Sequence, residues 1–342
     1  MQNMTEKAGA PPALAPENSE WLTKSSAKTD QKYGCPPSER DIITHINNGL
    51  IILDKPKGPT SHQVAAWVRD IFAPEGVKKA GHSGTLDPGV TGVLPILLGN
   101  ATKIIPALVR GRKEYICIMQ LHRAVPENKI HEVAKYFTGK ISQMPPVKSA
   151  VKRVLRTREI YDLEILEIEG NYVLFRSEVE AGTYIRTLCV DFGRMLGVEA
   201  HMQELRRTKA SSFHESKAVT MNDIRDSYEF WKEEKNEKYI RDKILPIESG
   251  VMHIPRIMIK DSAVSAVCHG APLHIGGIAK HTKDIKKGGL TAIMSLKGEL
   301  VALAESKMDT NEIQNCTSGV AAIVTRVIMN EDTYPRTWIK EE

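Results

Sequence analysis

Residues 80–95 read AGHSGTLDPGVTGVLP. One carboxylate, Asp87, stands among Gly81, Gly84, Gly89 and Gly92. Glycine reaches backbone angles closed to other residues, so this spacing gives tight turns and lets a ligand come close to the main chain. Pro88 turns Asp87 away from helical geometry. The apolar run VLPILL at 93–98 reads as a buried strand, with Pro95 pointing to an edge or a bulge. The stretch therefore presents Asp87 on a shaped loop at the mouth of a sheet. Asp-Pro-Gly is also an ordinary turn sequence, and the tripeptide by itself is equally a structural turn.

The whole chain bounds the class. Its 342 residues suffice for two domains of about 100–200 residues each. At 41% hydrophobic and 26% charged, the composition is that of a globular protein. No apolar run approaches the roughly 18 residues of a membrane span, and the N-terminus lacks the basic-then-apolar pattern of a signal peptide. Cys35, Cys117, Cys189, Cys268 and Cys316 are scattered, odd in number and free of CxxC, which suggests neither a zinc site nor a disulfide framework. A reducing cytoplasm is the expected compartment. There is no GxxxxGK[ST] and no HExxH. The net charge of +5 is mild, but the basic residues cluster. Lys148, Lys152, Arg153, Arg156 and Arg158 form one group, Arg110, Arg112 and Lys113 a second, and Arg206, Arg207 and Lys209 a third. Such clusters suit phosphate contacts, and equally a solvated face.

Along the chain, residues 1–35 are polar and rich in Pro, Ala, Ser and Lys, and are expected to be loosely held. LIIL at 50–53 predicts a strand stopped by DKPKGP; Thr60-Ser61 then caps a helix carrying Val64, Trp67, Val68 and Ile71. EYICIM at 114–119 and YVLF at 172–175 predict strands, and 127–138 a helix. The basic stretch after 143–146 shows no clear period until Ile165. A further helix presents Ile185, Leu188, Cys189, Phe192 and Leu196 on one face, with Arg186 in its first turn on the flank. Residues 220–245 look like a charged, solvated helical connector. From Ile254 short strands alternate with glycines, as in a small barrel. The predicted organisation is a flexible segment 1–35, an α+β domain 36–252 with a mixed sheet and flanking helices, a small β-barrel 253–330 and a tail 331–342.

The loop string GHSGTLDPGVTGVLP resembles the catalytic motif of the TruB/dyskerin family of RNA pseudouridine synthases. In that family the aspartate, here Asp87, is the indispensable catalytic residue. LDKPKGPTS with Lys55, KEYICIM with Tyr115, GTYIRTLCVDFG with Arg186 and ELRRTKASSF with Leu205 resemble further family motifs. They follow in the family's order between about residue 51 and residue 213. The resemblance implies that Arg186 pairs with Asp87, that Tyr115 stacks on the target base, and that His82 helps hold the target nucleotide out of its stack. It places Lys55 near the site and Leu205 in its wall. Read without the family, Arg186 is a helix-surface ion pair, Tyr115 and Leu205 are core residues, Lys55 contacts backbone carbonyls and His82 is a loop histidine. The implied reaction breaks a uridine's glycosidic bond, turns the base and rejoins it through carbon, with no cofactor and no metal. A single ionised carboxylate can serve it, and a nearby cation favours that charged form. An aromatic face accepts any base at roughly 1–3 kcal/mol.

The resemblance extends outward. YGCPPSERDIITHINNG at 33–49, QMPPVKSAVKRVLRTREIYDLEILE at 143–167 and FWKEEKNEKYIRDKILPIESGV at 230–251 are similar to archaeal dyskerin-type enzymes. RIMIKDSAVSAVCHGAPLHIGGIAK at 256–280 and TAIMSLKGELVALAES at 291–306 resemble their RNA-binding PUA barrel. This implies the catalytic subunit of a box H/ACA ribonucleoprotein. A guide RNA would select the uridine in ribosomal or transfer RNA by base pairing, alongside three small accessory proteins, one a kink-turn-binding ribosomal-type protein. Lys260, Ser262, His269, Gly270 and Ala271 are expected near the guide RNA. Residues 145–155 resemble the family's mobile thumb loop, with Lys148, Lys152 and Arg153 gripping phosphates. Ser83 and Ser211-Ser212 depart from the family's Gly and Gly-Pro. Two other readings stand beside this one: a stand-alone synthase acting on the transfer-RNA T loop, and a catalytically silent RNA-binding scaffold.

Overall fold

The structure, a computed structural model, describes residues 20–145, 152 and 154–336. One unit runs from Asp41 to Gly250; the other joins the described residues before it to those from Val251 onward. The first strand, β1 (Trp21–Thr23), belongs to the latter. The Asp41–Gly250 unit opens with α1 (Ile42–Asn47), β2 (Gly49–Lys55), α2 (Ser61–Phe72), β3 (Ala80–His82) and β4 (Thr91–Leu98). It continues through α3 (Ile105–Val109), β5 (Lys113–Leu121), α4 (Glu127–Phe137), β6 (Gly139–Gln143), β7 (Arg156–Glu169), β8 (Tyr172–Val179) and α5 (Ile185–Met195). It closes with β9 (Ala200–Ala210), β10 (Phe213–His214), α6 (Met221–Glu234), α7 (Lys238–Lys243) and β11 (Leu245–Pro246).

These strands make one mixed sheet in the order β11-β2-β4-β9-β5-β8-β7-β6, with β3 on β4 and β10 on β9. The pair β4 and β9 is parallel, so the two halves of the sheet meet there. One core lies under α2 and α6 and holds Leu53, Val64, Val68, Phe72, Leu94 and Ile96. A second lies under α4 and α5 and holds Cys117, Ile130, Phe175, Leu188 and Phe192. Helix α2 starts where its sequence says it should. Thr60 Oγ1 accepts the Gln63 N–H, and Gln63 Oε1 accepts the Thr60 N–H, a closed capping box. Trp67, expected on the apolar face of α2, lies on its exposed flank at 46%.

Four readings of the sequence need correction. Pro95 is not on an edge: it sits inside β4, opposite Ile52 of β2. Its carbonyl accepts from the Ser83 N–H, so its nitrogen also faces away from β2. On that side β9 pairs only with residues 91–92 and β3 only with 96–98, so the missing donor falls in the gap between them. Residues 220–245 are not a solvated connector. Ile224, Tyr228 and Trp231 of α6 follow helical spacing and are buried in the first core. The aperiodic basic stretch leads into β7, whose register shifts at 160/162 and 165/167 break the two-residue alternation. Residues 20–35, read as loosely held, carry β1 and pack within the second unit.

That second unit continues with β12 (Arg256–Ile259), α8 (Asp261–Cys268), β13 (Leu273–His274), β14 (Ile278–Thr282), β15 (Leu290–Met294), β16 (Leu300–Ser306), α9 (Thr310–Asn315) and β17 (Val320–Val327). Its seven-stranded sheet runs β1-β14-β12-β15-β16-β17-β13 around a core of Ile257, Ile259, Val264, Ile293, Val301 and Ile313. Strand β1 pairs Trp21 with Thr282 and Thr23 with Lys280, and the Arg256 guanidinium lies 5.4 Å from the Trp21 ring. Nothing local announces this strand, because its partner is far along the chain. Tyr334 is buried in the same core, beyond the predicted barrel limit. In the thumb stretch Lys152 is exposed, while Lys148, Arg153 and the expected mobility of the loop lie outside the described residues.

Candidate active site

Asp87 lies on the loop between β3 and β4, and other elements hold that loop in shape. The Val90 N–H donates to Asp87 O over 3.0 Å, closing the turn. Ser61, the first residue of α2, donates its hydroxyl to Leu86 O at 2.9 Å and accepts the Leu86 N–H at 2.8 Å. Lys55, at the end of β2, is fully buried. Its ammonium donates to Pro56 O at 2.9 Å, Pro88 O at 3.3 Å and Val90 O at 2.9 Å. Three protons thus meet three carbonyls around the Asp87 turn. Burial lowers the Lys55 pKa, and the Asp87 charge pulls it back up.

Across the loop, Arg186 in the first turn of α5 forms an ion pair with Asp87 through Nη2 and Oδ2. The approach to α5 is pinned by the buried Gln143 of β6. Its Nε2 donates to Tyr184 O at 3.1 Å and its Oε1 accepts the Tyr184 N–H at 2.9 Å. The Asp87 and Arg186 side chains are each about half exposed, because the pair borders an open cavity of about 670 Å³. A pair this wet adds little to stability, so its geometry matters for what it presents rather than what it holds together.

The cavity brings together His82, Asp87, Tyr115, Arg186 and Leu205. Lys55 lies behind the loop. Tyr115 of β5 packs on both cores where the two halves of the sheet meet, opposite Arg207 of β9; Leu205 is opposite Cys117. The His82 ring stands edge-on to His62, with centroids 4.8 Å apart, and its buried Nδ1 has no hydrogen-bond partner among the described residues. Burial first, then the neighbouring His62 and Arg207, pull the His82 pKa down to about 4, so the ring is neutral at neutral pH.

Sequence reasoning missed the structural weight of Arg207, which it counted only in a basic cluster. Neighbours in a strand face opposite ways, and this separates Arg206 from Arg207. Arg206 grips both carboxylate oxygens of Asp54 at 3.0 Å and reaches Glu215 at 2.8 Å. Arg207 turns inward, 1% exposed, and donates through Nε to Val93 O at 2.7 Å and through Nη2 to Gly84 O at 3.1 Å. It thereby bridges the start and the end of the Asp87 loop. The loop also needs Gly92 there, since a Cβ at that position would meet Arg207 O at 2.2 Å and φ is +102°. Lys113 also lines the cavity; its buried ammonium donates to Leu108 O, Val109 O and Gly111 O at the end of α3, and burial with the Arg207 charge lowers it to about 7.

In the other unit, Lys260 precedes α8 and Ser262 lies within it. His269, Gly270 and Ala271 follow its C-terminus. Gly270 takes φ +83°, and His269 bonds Ser265 O through Nδ1 at 2.7 Å.

Comparison with known proteins places this geometry. Residues 69–185 match the TruB family pseudouridylate synthase N-terminal domain and 186–252 the tRNA pseudouridylate synthase B C-terminal domain. Residues 11–65 match the DKCLD domain and 255–328 the PUA domain. The probable tRNA pseudouridine synthase B of Methanosarcina mazei is 54% identical over 321 residues, covering 94% of either chain. Its counterpart from Archaeoglobus fulgidus is 50% identical over 318 residues, covering 93% of this chain and 97% of its own. A crystal structure of a Cbf5–Nop10–Gar1 complex contains a chain similar at TM-score 0.88 and 51% identity, over 95% of this chain and 99% of that one. The structure of an H/ACA RNP bound to a substrate RNA containing 2′-deoxyuridine contains another, at TM-score 0.87 and 50% identity, over 94% and 98%.

Proposed function

Because the chain belongs to the TruB family of pseudouridine synthases, enzymes that isomerise uridine within RNA, we propose that a box H/ACA guide RNA directs it to its target uridines in ribosomal or transfer RNA. The observation that carries this reading is the likeness, across 94% of the chain, to a protein of an H/ACA particle bound to substrate RNA. Asp87 is the nucleophile, and Arg186 pairs with its carboxylate. Tyr115 offers the aromatic face for the target base. Neutral His82 and Leu205 shape the space around the flipped nucleotide, and Lys55 fixes the loop. Lys260, Ser262, His269, Gly270 and Ala271 meet the guide RNA, while Lys148, Lys152 and Arg153 grip substrate phosphates. The protein partners are counterparts of Nop10 and Gar1 and a kink-turn-binding ribosomal-type protein, and the compartment is the cytoplasm.

The relatives' description as probable tRNA pseudouridine synthases favours a second reading, guide-independent action on transfer RNA. Pseudouridine formation in a target with one unpaired uridine, with and without guide RNA and accessory proteins, separates the two. Conversion that requires the guide supports the first reading. Conversion of transfer RNA alone, without guide, supports the second. Tight guide binding with no conversion anywhere would fit a silent scaffold and defeat both.

A further inference from the structure

Arg207 carries a positive charge and is only 1% exposed. Val93 O and Gly84 O solvate Nε and Nη2 but are neutral. Among the described residues no carboxylate forms an ion pair with it, whereas Arg186 has Asp87, Arg206 has Asp54 and Glu215, and Arg158 has Glu180. Its neighbours feel the charge, since after burial it contributes to the lowered basicity of both His82 and Lys113. A buried cation without a partner is costly, and such a group makes physical sense where a counter-charge arrives with the ligand. Arg207 lines the cavity, and its Nη1 donates to no acceptor among the described residues. Gly84, with only hydrogen in place of a side chain 3.6 Å from Nη1, leaves the approach open. Arg207 is also the register partner of Tyr115, and both line the cavity.

We propose that Arg207 is a catalytic residue: through Nη1 it donates to an exocyclic oxygen of the target uracil and stabilises the negative charge the ring gains when it leaves the sugar. The proposal rests on the Asp87 cavity being the uridine site. As the Asp87 carboxylate bonds to C1′, the N1–C1′ bond breaks, its electron pair departs with the ring, and the charge spreads over N1, O2 and O4. The ring turns, C5 bonds to C1′ as the Asp87–C1′ bond breaks and returns the carboxylate, the C5 proton passes to solvent and N1 takes one up. The product is an isomer, with no other reactant. A fixed donor aimed at charge that exists only during the reaction lowers the barrier without tightening ground-state binding.

The test must separate this from the bracing of the Asp87 loop. Single-turnover loss of the N-glycosidic nucleoside would be followed in the assembled guide-RNA complex, for the unmodified protein, R207Q and R207K. The target would carry uridine or 5-fluorouridine, whose ring bears negative charge more readily. R207Q should slow the uridine reaction about a hundredfold, with substrate-RNA affinity changed less than about threefold. The loss should shrink about tenfold on 5-fluorouridine, and R207K should recover part of the rate. Equal losses on both substrates would mean that Arg207 only braces the loop, and would overturn the proposal. If neither variant folds, the unmodified protein still decides, using 2-thiouridine and 4-thiouridine targets. Both sulfur substitutions ease charge on the ring, but only the one facing Nη1 weakens its acceptor, so the two targets should differ about tenfold in rate, and equal rates on both would overturn the proposal. Absence of conversion by the unmodified protein on uridine would overturn the functional reading itself, and this proposal with it.

Discussion

Asp87 is positioned by side chains from three other elements. Lys55 and Ser61 fix the carbonyls and amide around it, and Arg186 faces its carboxylate. Asp87→Asn should therefore leave the fold and RNA affinity within a few-fold, while single-turnover pseudouridine formation falls by at least about a thousandfold. Loss of RNA binding together with the folded state would instead make Asp87 a structural residue. His82 gives a second prediction. Its folded pKa of about 4 lies below its ordinary value of 6.5, so the unfolded chain binds the extra proton first as pH falls. Stability contributed by the neutral ring is present above about pH 6.5 and is lost on acidification toward pH 4. H82Q should lose less stability than the unmodified protein over that interval in urea titrations; parallel losses would show that His82 is not the titrating group. Asp87, Lys55 and Arg186 could be singled out in the sequence because each sits in a string that resembles a family motif. Arg207 could not, because its burial is created by pairing β4 with β9, far apart in the chain.

The two-residue turn from β9 to β10 carries a visible strain. Ser211, where relatives are expected to hold glycine, sits at φ +57°, and its buried hydroxyl has no partner among the described residues. A left-handed conformation costs a residue with a Cβ about 1–2 kcal/mol. Ser211→Gly should recover about 1 kcal/mol and raise the melting temperature without altering conversion; an unchanged or lower melting temperature would show that the turn holds Ser211 by other means. Elements were readable where their signals are periodic or capped, as in α2 and α5. They were obscured where a bulge breaks the alternation, as in β7, or where charged residues hide a spaced apolar stripe, as in α6. Pro95 misled for a related reason, since proline reports a missing donor but not which side of the strand lacks a partner.

Across the molecule, the β1 unit is tied together by one buried carboxylate. Glu299 accepts from the Ser295 hydroxyl at 2.8 Å, the Tyr334 hydroxyl at 2.7 Å and the Cys35 N–H at 3.1 Å. Lys297 donates to the carbonyls of Tyr33 and Gly34. Glu299→Ala strips three donors of their acceptor and should cost about 3 kcal/mol. It should also speed tryptic cleavage at Lys24 and Lys28, and unchanged cleavage would mean that β1 alone secures the segment. The barrel-like C-terminal unit was legible in the sequence, but its N-terminal strand was not, because Lys24 meets a carbonyl 290 residues away. That separation has a consequence for synthesis. On the ribosome, β1 emerges long before its partner β14 exists, while the 41–250 unit can complete both of its cores. Strand β1 leaves the tunnel early and is therefore among the last to be seated, and a nascent chain halted before β14 exposes Trp21 and an unpaired edge to whatever chaperone stands at the exit.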